Sequence, residues 1–174
     1  KWGYDLGAGG WGNGELQYYT SRPENVIVQG GMLKIKLLKE NYSGSPYSSA
    51  RILSKDKYAF TYGKVEVSAK IPAGKGTWPA IWMLPTKWEY GGWPHSGEID
   101  IMENVGYWPD SLFATVHTGA FNHGQGTQVG RAIAVTDLSK AFHVYAIEWT
   151  ADKIIFLFDG KEYHRFNNNK KGSE

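Results

Sequence analysis

An all-β sandwich is the fold that this 174-residue sequence predicts, and three observations predict it. About ten short runs of β-favouring residues follow one another, some alternating apolar with polar and some continuously apolar. Turns rich in Gly, Pro and Asn join them at short spacing. No stretch carries a convincing helical apolar period, and no internal repeat is visible.

The elements follow in order. Residues 1–14, rich in Gly, Trp and Asn, are expected to form a loop. Glu15–Thr20 and Asn25–Gln29 read as strands on either side of Ser21-Arg22-Pro23. Gly30-Gly31 makes a hairpin turn into Met32–Leu38, where Leu33, Ile35 and Leu37 alternate with Lys34 and Lys36. Asn41–Ser49, full of Ser, Gly, Pro and Tyr, is expected as a loop before a strand at Arg51–Leu53. Lys64–Ile71 alternates cleanly, with Val65, Val67, Ala69 and Ile71 inward, as in a half-buried antiparallel strand. Trp78–Leu84 is almost continuously apolar, which predicts a central strand. Lys87–Ser96 is an aromatic-rich loop. Leu112–His117, Phe142–Thr150 and Lys153–Phe158 read as strands, Asp159-Gly160 turns the chain into Lys161–Phe166, and Asn167–Glu174 is a polar tail.

The length predicts one domain, residues 1–174, burying ~70% of the unfolded chain's surface. No apolar run reaches the ~20 residues that span a bilayer. The chain opens at Lys1-Trp2 without an initiator Met or a signal segment and so reads as processed or trimmed. It has no cysteine, which excludes disulfides and thiolate metal sites but not export. Acids and bases are interleaved at a formal net charge of +2, leaving no basic stripe for nucleic acid or membrane. Most of the 8 Trp and 11 Tyr are expected to pack in the core, but several Trp stand in loops beside Gly and Pro or next to the acids, where stacking on sugar rings is an equally good use.

Gly97-Glu98-Ile99-Asp100-Ile101-Met102-Glu103-Asn104-Val105-Gly106 carries the chemistry. Ile99 and Ile101 favour a strand, whose alternation puts Glu98 and Asp100 on one face and the isoleucines on the other. By that parity Glu103 would enter the core, and an unpaired buried carboxylate is costly. A β-bulge around Ile101–Met102 returns Glu103 to the face of the other two acids. Three like charges this close suit a site where one carboxyl stays protonated beside an ionised one. Glycoside hydrolysis uses such a pair, ~5–5.5 Å apart when configuration is retained. Four strand steps put the Cα atoms ~13 Å apart, so the side chains must lean together or the strand must curve.

These residues resemble the signature of glycoside hydrolase family 16, in the bulged Glu-x-Asp-x-x-Glu form of its laminarinase branch. The likeness extends through Trp11–Thr20, Trp78–Pro85, Val116–Gly119 and Tyr145–Thr150. It implies a concanavalin A-like β-jelly-roll of two curved antiparallel sheets, with substrate in the concave one. Against that pattern the chain lacks a first strand and the C-terminal strands, so the expectation is that it folds with a complement: a C-terminal fragment or strands exchanged from a second copy. The resemblance makes Glu98 the nucleophile, Glu103 the acid/base and Asp100 the assisting acid. Asn13 and Arg51 match family residues that bind sugar, and His117 would contact substrate or Glu103. Trp78, Trp82 and Trp93 are candidate sugar platforms, with core packing as the rival, stronger for Trp78 than for Trp93.

The activity so implied is a secreted, endo-acting, retaining hydrolase of β-1,3-glucan, with a β-glucan polysaccharide or oligosaccharide as its substrate. Alternatives are a mixed-linkage glucanase, an agarase- or carrageenase-like hydrolase, and a non-catalytic glucan-binding module. The last is disfavoured because both Glu98 and Glu103 are present. No catalytic metal is expected, although His95, Glu98, Asp100 and His117 could be read as ligands. No cofactor is required, and a structural calcium ion is compatible with the resemblance.

Overall fold

A computed structural model describes residues 2–169, most of them in strands and turns. The chain divides into two compact units, Lys1–Ala59 and Phe60–Glu174.

In the N-terminal unit, β1 (Gly3–Asp5) pairs antiparallel with β7 (Arg51–Leu53). The Gly30-Gly31 turn, with φ of 62° and 75°, joins β3 (Val26–Gln29) to β4 (Met32–Ile35) as expected. Residues 41–49 are not a loop. They complete a second hairpin, β5 (Leu38–Tyr42) and β6 (Ser45–Ser49), which turns at Ser43-Gly44 with positive φ at both. The pattern hid this hairpin because it is held by polar groups. β2 (Gln17–Tyr19) adds to β6 in parallel. Behind these strands Asn25 is fully buried, donating from Nδ2 to Ser48 Oγ at 2.8 Å. Arg22 binds Asn25, Ser48 and Glu40 while stacking on the Tyr42 ring at 4.0 Å.

The C-terminal unit is a sandwich of two four-stranded antiparallel sheets. One runs β12 (Val129–Ala134), β11 (Ser111–His117), β10 (Glu98–Glu103), β9 (Ala80–Met83). The other runs β15 (Lys161–Asn167), β14 (Lys153–Phe158), β13 (His143–Trp149), β8 (Gly63–Ala69). Ile101, Met102, Leu112, Ala114 and Val116 of the first sheet meet Tyr145, Ile147, Ile154, Phe156 and Phe166 of the second in one core. At ~25 cal/mol per Å² of apolar surface removed from water, such a layer is the main source of stability.

Two expectations are corrected here. The apolar run at Trp78–Leu84 supplies β9, but among the described residues β9 pairs only with β10 and ends the sheet order instead of lying centrally. Its apolar character serves the acidic face as well as the core. β12 was not foreseen, because Gly130, Ala132 and Ala134 on one of its faces are too small to announce a strand. One short 3₁₀ turn, His123–Gln125, stands between β11 and β12.

Candidate active site

The strand β10 contains the inferred bulge. Glu98 pairs with His117 and Asp100 with Thr115 of β11, and then the register shifts so that Glu103 faces Phe113. Against β9 the shift falls between Asp100 and Met102. The extra residue puts Ile101 and Met102 together into the core, at 2% and 1% exposure, and leaves Glu103 partly open. Residues directly opposite across an antiparallel pair share a face, so Glu98, Asp100 and Glu103 lie with His117, Trp82 and Ala80.

The three carboxyls are pushed toward their protonated forms. Burial raises Glu98 to about 7, helped by the charge of Asp100 and opposed by His117 and by a hydrogen bond from Trp93. Burial also lifts Asp100 to about 7, with the charge of Glu103 adding to it. Glu103 is raised chiefly by burial, against the pull of Trp78, whose Nε1–H donates to Oε1 at 2.9 Å. Glu98 and Asp100 are hydrogen-bonded to each other, so near neutrality they share a proton and titrate as a pair.

His117 closes the group from β11. Its Nε2 lies 3.3 Å from Asp100 Oδ2, and oxygen and nitrogen atoms of Glu98, Asp100 and His117 lie within 4.8 Å of one another. Its Nδ1 accepts from the backbone N–H of His123 at 3.3 Å. A metal-bound imidazole donates its other N–H to an acceptor. Here the group facing Nδ1 is itself a donor, the reverse of that arrangement.

The indoles are placed unequally. Trp78 is 53% exposed and does not pack in the core; it flanks Glu103. Trp93, in the loop before β10, leans on the His117 ring with centroids 5.6 Å apart and donates to Glu98. Trp82 stands across from Asp100 on β9. Asn13 and Arg51 belong to the N-terminal unit. There Glu15 accepts from Asn13 at 3.3 Å and from the Tyr19 hydroxyl at 2.7 Å. Arg51 pairs with Asp5 at 2.6 Å and lies over the Trp11 ring at 4.2 Å. The sequence reading passed over the turn at Asn122-His123, which touches His117. Its signal was an Asn before a Gly-rich segment ending in Gly126, the residues that cap short helical turns.

The family described as "Glycosyl hydrolases family 16" matches residues 13–174. The chain belongs to glycosyl hydrolase family 16. Among its family 16 relatives, the beta-glucanase of Rhodothermus marinus is 53% identical over 98% of this chain and 60% of its own length. The chain therefore spans less than two thirds of that relative. The crystal structure of the laminarinase from Rhodothermus marinus superposes with a TM-score of 0.96 at 52% identity, covering 98% of this chain and 69% of the other. A family 16 non-specific endo-β-1,3(4)-glucanase, solved with a glucan oligosaccharide at its active site, gives 0.94 at 43% identity over 99% of this chain and 70% of its own. Family 16 membership agrees with the all-β sandwich and with the acidic strand as its distinctive element.

Proposed function

We propose that this chain is the catalytic part of an endo-acting, retaining β-1,3-glucan hydrolase. The observation that carries the reading is the bulge in β10, which sets Glu98 and Glu103 on one face with Asp100 between them, all three raised by burial. The names of the relatives support the substrate class.

In this reading an ionised Glu98 attacks the anomeric carbon while Glu103 gives its proton to the departing glycosidic oxygen. The product of this step is a glycosyl ester on Glu98. Glu103, now a carboxylate, takes a proton from water, the hydroxyl adds to the same carbon, and Glu98 is released. Two inversions give net retention. Asp100 holds the shared proton while Glu98 is ionised, and burial favours the protonated form of Glu103 that the acid role needs. Trp78, Trp82 and Trp93 offer apolar ring faces for stacking against sugars. A polymer of this size is met outside cells, so the reading includes secretion.

Replacing Glu98 with Ser is expected to abolish laminarin hydrolysis while leaving oligosaccharide binding by calorimetry. Activity within tenfold of the parent would remove Glu98 from the nucleophile's role. Glu103→Ala should lower kcat on laminarin by about 10²–10⁴ but spare aryl glycosides whose leaving groups need no proton. Equal loss on both substrates would exclude Glu103 as the acid. Proton NMR of early products should show the β anomer.

A further inference from the structure

His117 is hydrogen-bonded from the turn that follows β11. Its Nδ1 receives the backbone N–H of His123. A neutral imidazole carries one proton, and a nitrogen that accepts a hydrogen bond cannot carry it. The proton is therefore on Nε2, which points at Asp100 Oδ2. That oxygen is buried and makes no well-aligned hydrogen bond, Nε2 being in close contact with it at 3.3 Å. An N–H facing Oδ2 disfavours an acid proton on that oxygen and leaves it to Oδ1 or to Glu98. The opposite tautomer would turn Nε2 into an acceptor and draw that proton away from Glu98.

The His123 amide is in turn held by Asn122, which is 3% exposed. Asn122 caps the 3₁₀ turn, its Oδ1 accepting from Gln125 N at 3.1 Å. Its Nδ2 reaches back to the carbonyls of Thr118 and Gly119, at 3.2 and 3.4 Å, the residues that follow β11. Its own N–H donates to Thr127 Oγ1 at 3.1 Å. The side chain ties the start of the 3₁₀ turn to the end of the strand that carries His117.

We infer that Asn122 is a positioning residue: by holding the His123 N–H against Nδ1 it locks His117 in the Nε2–H tautomer and so directs the proton shared by Asp100 and Glu98. This inference rests on the proposed hydrolase reading for its catalytic consequence but not for the tautomer. Glu98 and Asp100 lie beside the ring, and Glu103 feels the charges of both His117 and His123.

Two-bond ¹H–¹⁵N correlation spectra of the ¹⁵N-labelled protein near pH 8 read the tautomer directly. The expected pattern for His117 is protonated Nε2 and bare Nδ1; a protonated Nδ1 in the parent protein would overturn the inference, whatever the enzyme hydrolyses. Asn122→Ala is expected to give a mixed tautomer and a roughly tenfold lower kcat on laminarin with KM little changed. Asn122→Asp keeps the capping oxygen and should fold even if the Ala variant does not. It loses the amide donors and should likewise mix the tautomers. A double-mutant cycle separates positioning from general damage. His117→Gln offers an amide donor toward Asp100 that no tautomer can remove, so in that background Asn122→Ala should cost no further kcat. An undiminished tenfold loss there, or a pure Nε2–H signal in both Asn122 variants, would show that Asn122 does not act through His117.

Discussion

Glu98 and Asp100 are held at a cost to the fold. Burial raises both to about 7, well above ordinary carboxyls. In the unfolded chain they ionise near pH 4, so between about pH 4 and 7 the folded state binds more protons and stability must fall as pH rises. The penalty is absent below pH 4 and complete above 7. Glu98→Gln, which removes one charge and leaves its volume, should therefore raise the melting temperature at pH 8 and do little at pH 4. The gain at pH 8 should be on the order of 2 kcal/mol, shared with Asp100 because the two titrate together. Thermal scans across that range check it; a gain that is flat with pH would contradict the assigned cause.

At the scale of elements, what positions the acids is a close approach of backbone. Gly106, just past β10, has its N–H on the Thr77 carbonyl at 2.9 Å, in the turn that leads to Trp78. A Cβ placed on Gly106 would lie 1.8 Å from the Gly74 carbonyl oxygen and 2.5 Å from Thr77 Oγ1. Gly106→Ala should therefore displace the 74–78 turn and cost about 1–3 kcal/mol, the usual range for overpacking. Because Trp78 would move off Glu103, the alkaline limb of the rate profile should also shift to higher pH, since that indole holds the Glu103 value down. Unchanged stability and unchanged pH profile would refute both.

A second device lies on the other sheet, where His143 is buried between two carboxylates. Its Nδ1 is 2.8 Å from Asp159 and its Nε2 3.2 Å from Asp137. Burial alone would lower its pKa, but the bond and charge of Asp159 and the charge of Asp137 outweigh it and raise it. Its stabilisation is full below about pH 6.5 and lost as pH rises through the raised folded value. Asp159→Asn should cost about 1 kcal/mol at pH 6, allowing for the exposure of Asp159, and less at pH 9. Urea titrations at the two pH values measure the difference.

On the scale of the molecule, the two units are held by different forces. In the C-terminal unit Ile101, Leu112, Ile147 and Phe156 are all at 2% exposure or less, whereas Val26 and Ala50 are the buried apolar residues of the N-terminal unit. That unit relies on Arg22, Asn25, Glu40 and Ser48 and on edge-to-face aromatic packing such as that of Tyr18 and Tyr42. Amides of β3–β6 are accordingly expected to exchange with solvent through openings of lower free energy than those of β10, β11, β13 and β14. Native-state hydrogen exchange would show the order; equal protection would contradict it. The same contrast explains what could be read in advance. The sandwich strands other than β12, the Gly30-Gly31 and Asp159-Gly160 turns and the bulge were legible because apolar parity reports burial, and Glu103 could not obey that parity at tolerable cost. β5, β6 and the Asn122 turn were not, because they are built from polar side chains whose partners lie in other segments, and Ser48 or Asn122 alone says nothing of whom it will meet.

The indole at each of two carboxyls has an optical consequence. Trp78 donates to Glu103 and Trp93 to Glu98, and indole emission changes when a neighbouring carboxyl gains or loses charge. Each acid thus has its own reporter written into the chain, distinguishable by comparing Trp78→Phe with Trp93→Phe. A fluorescence titration of the two variants should trace the protonation of Glu98 in one and of Glu103 in the other, before any sugar is added and without any label.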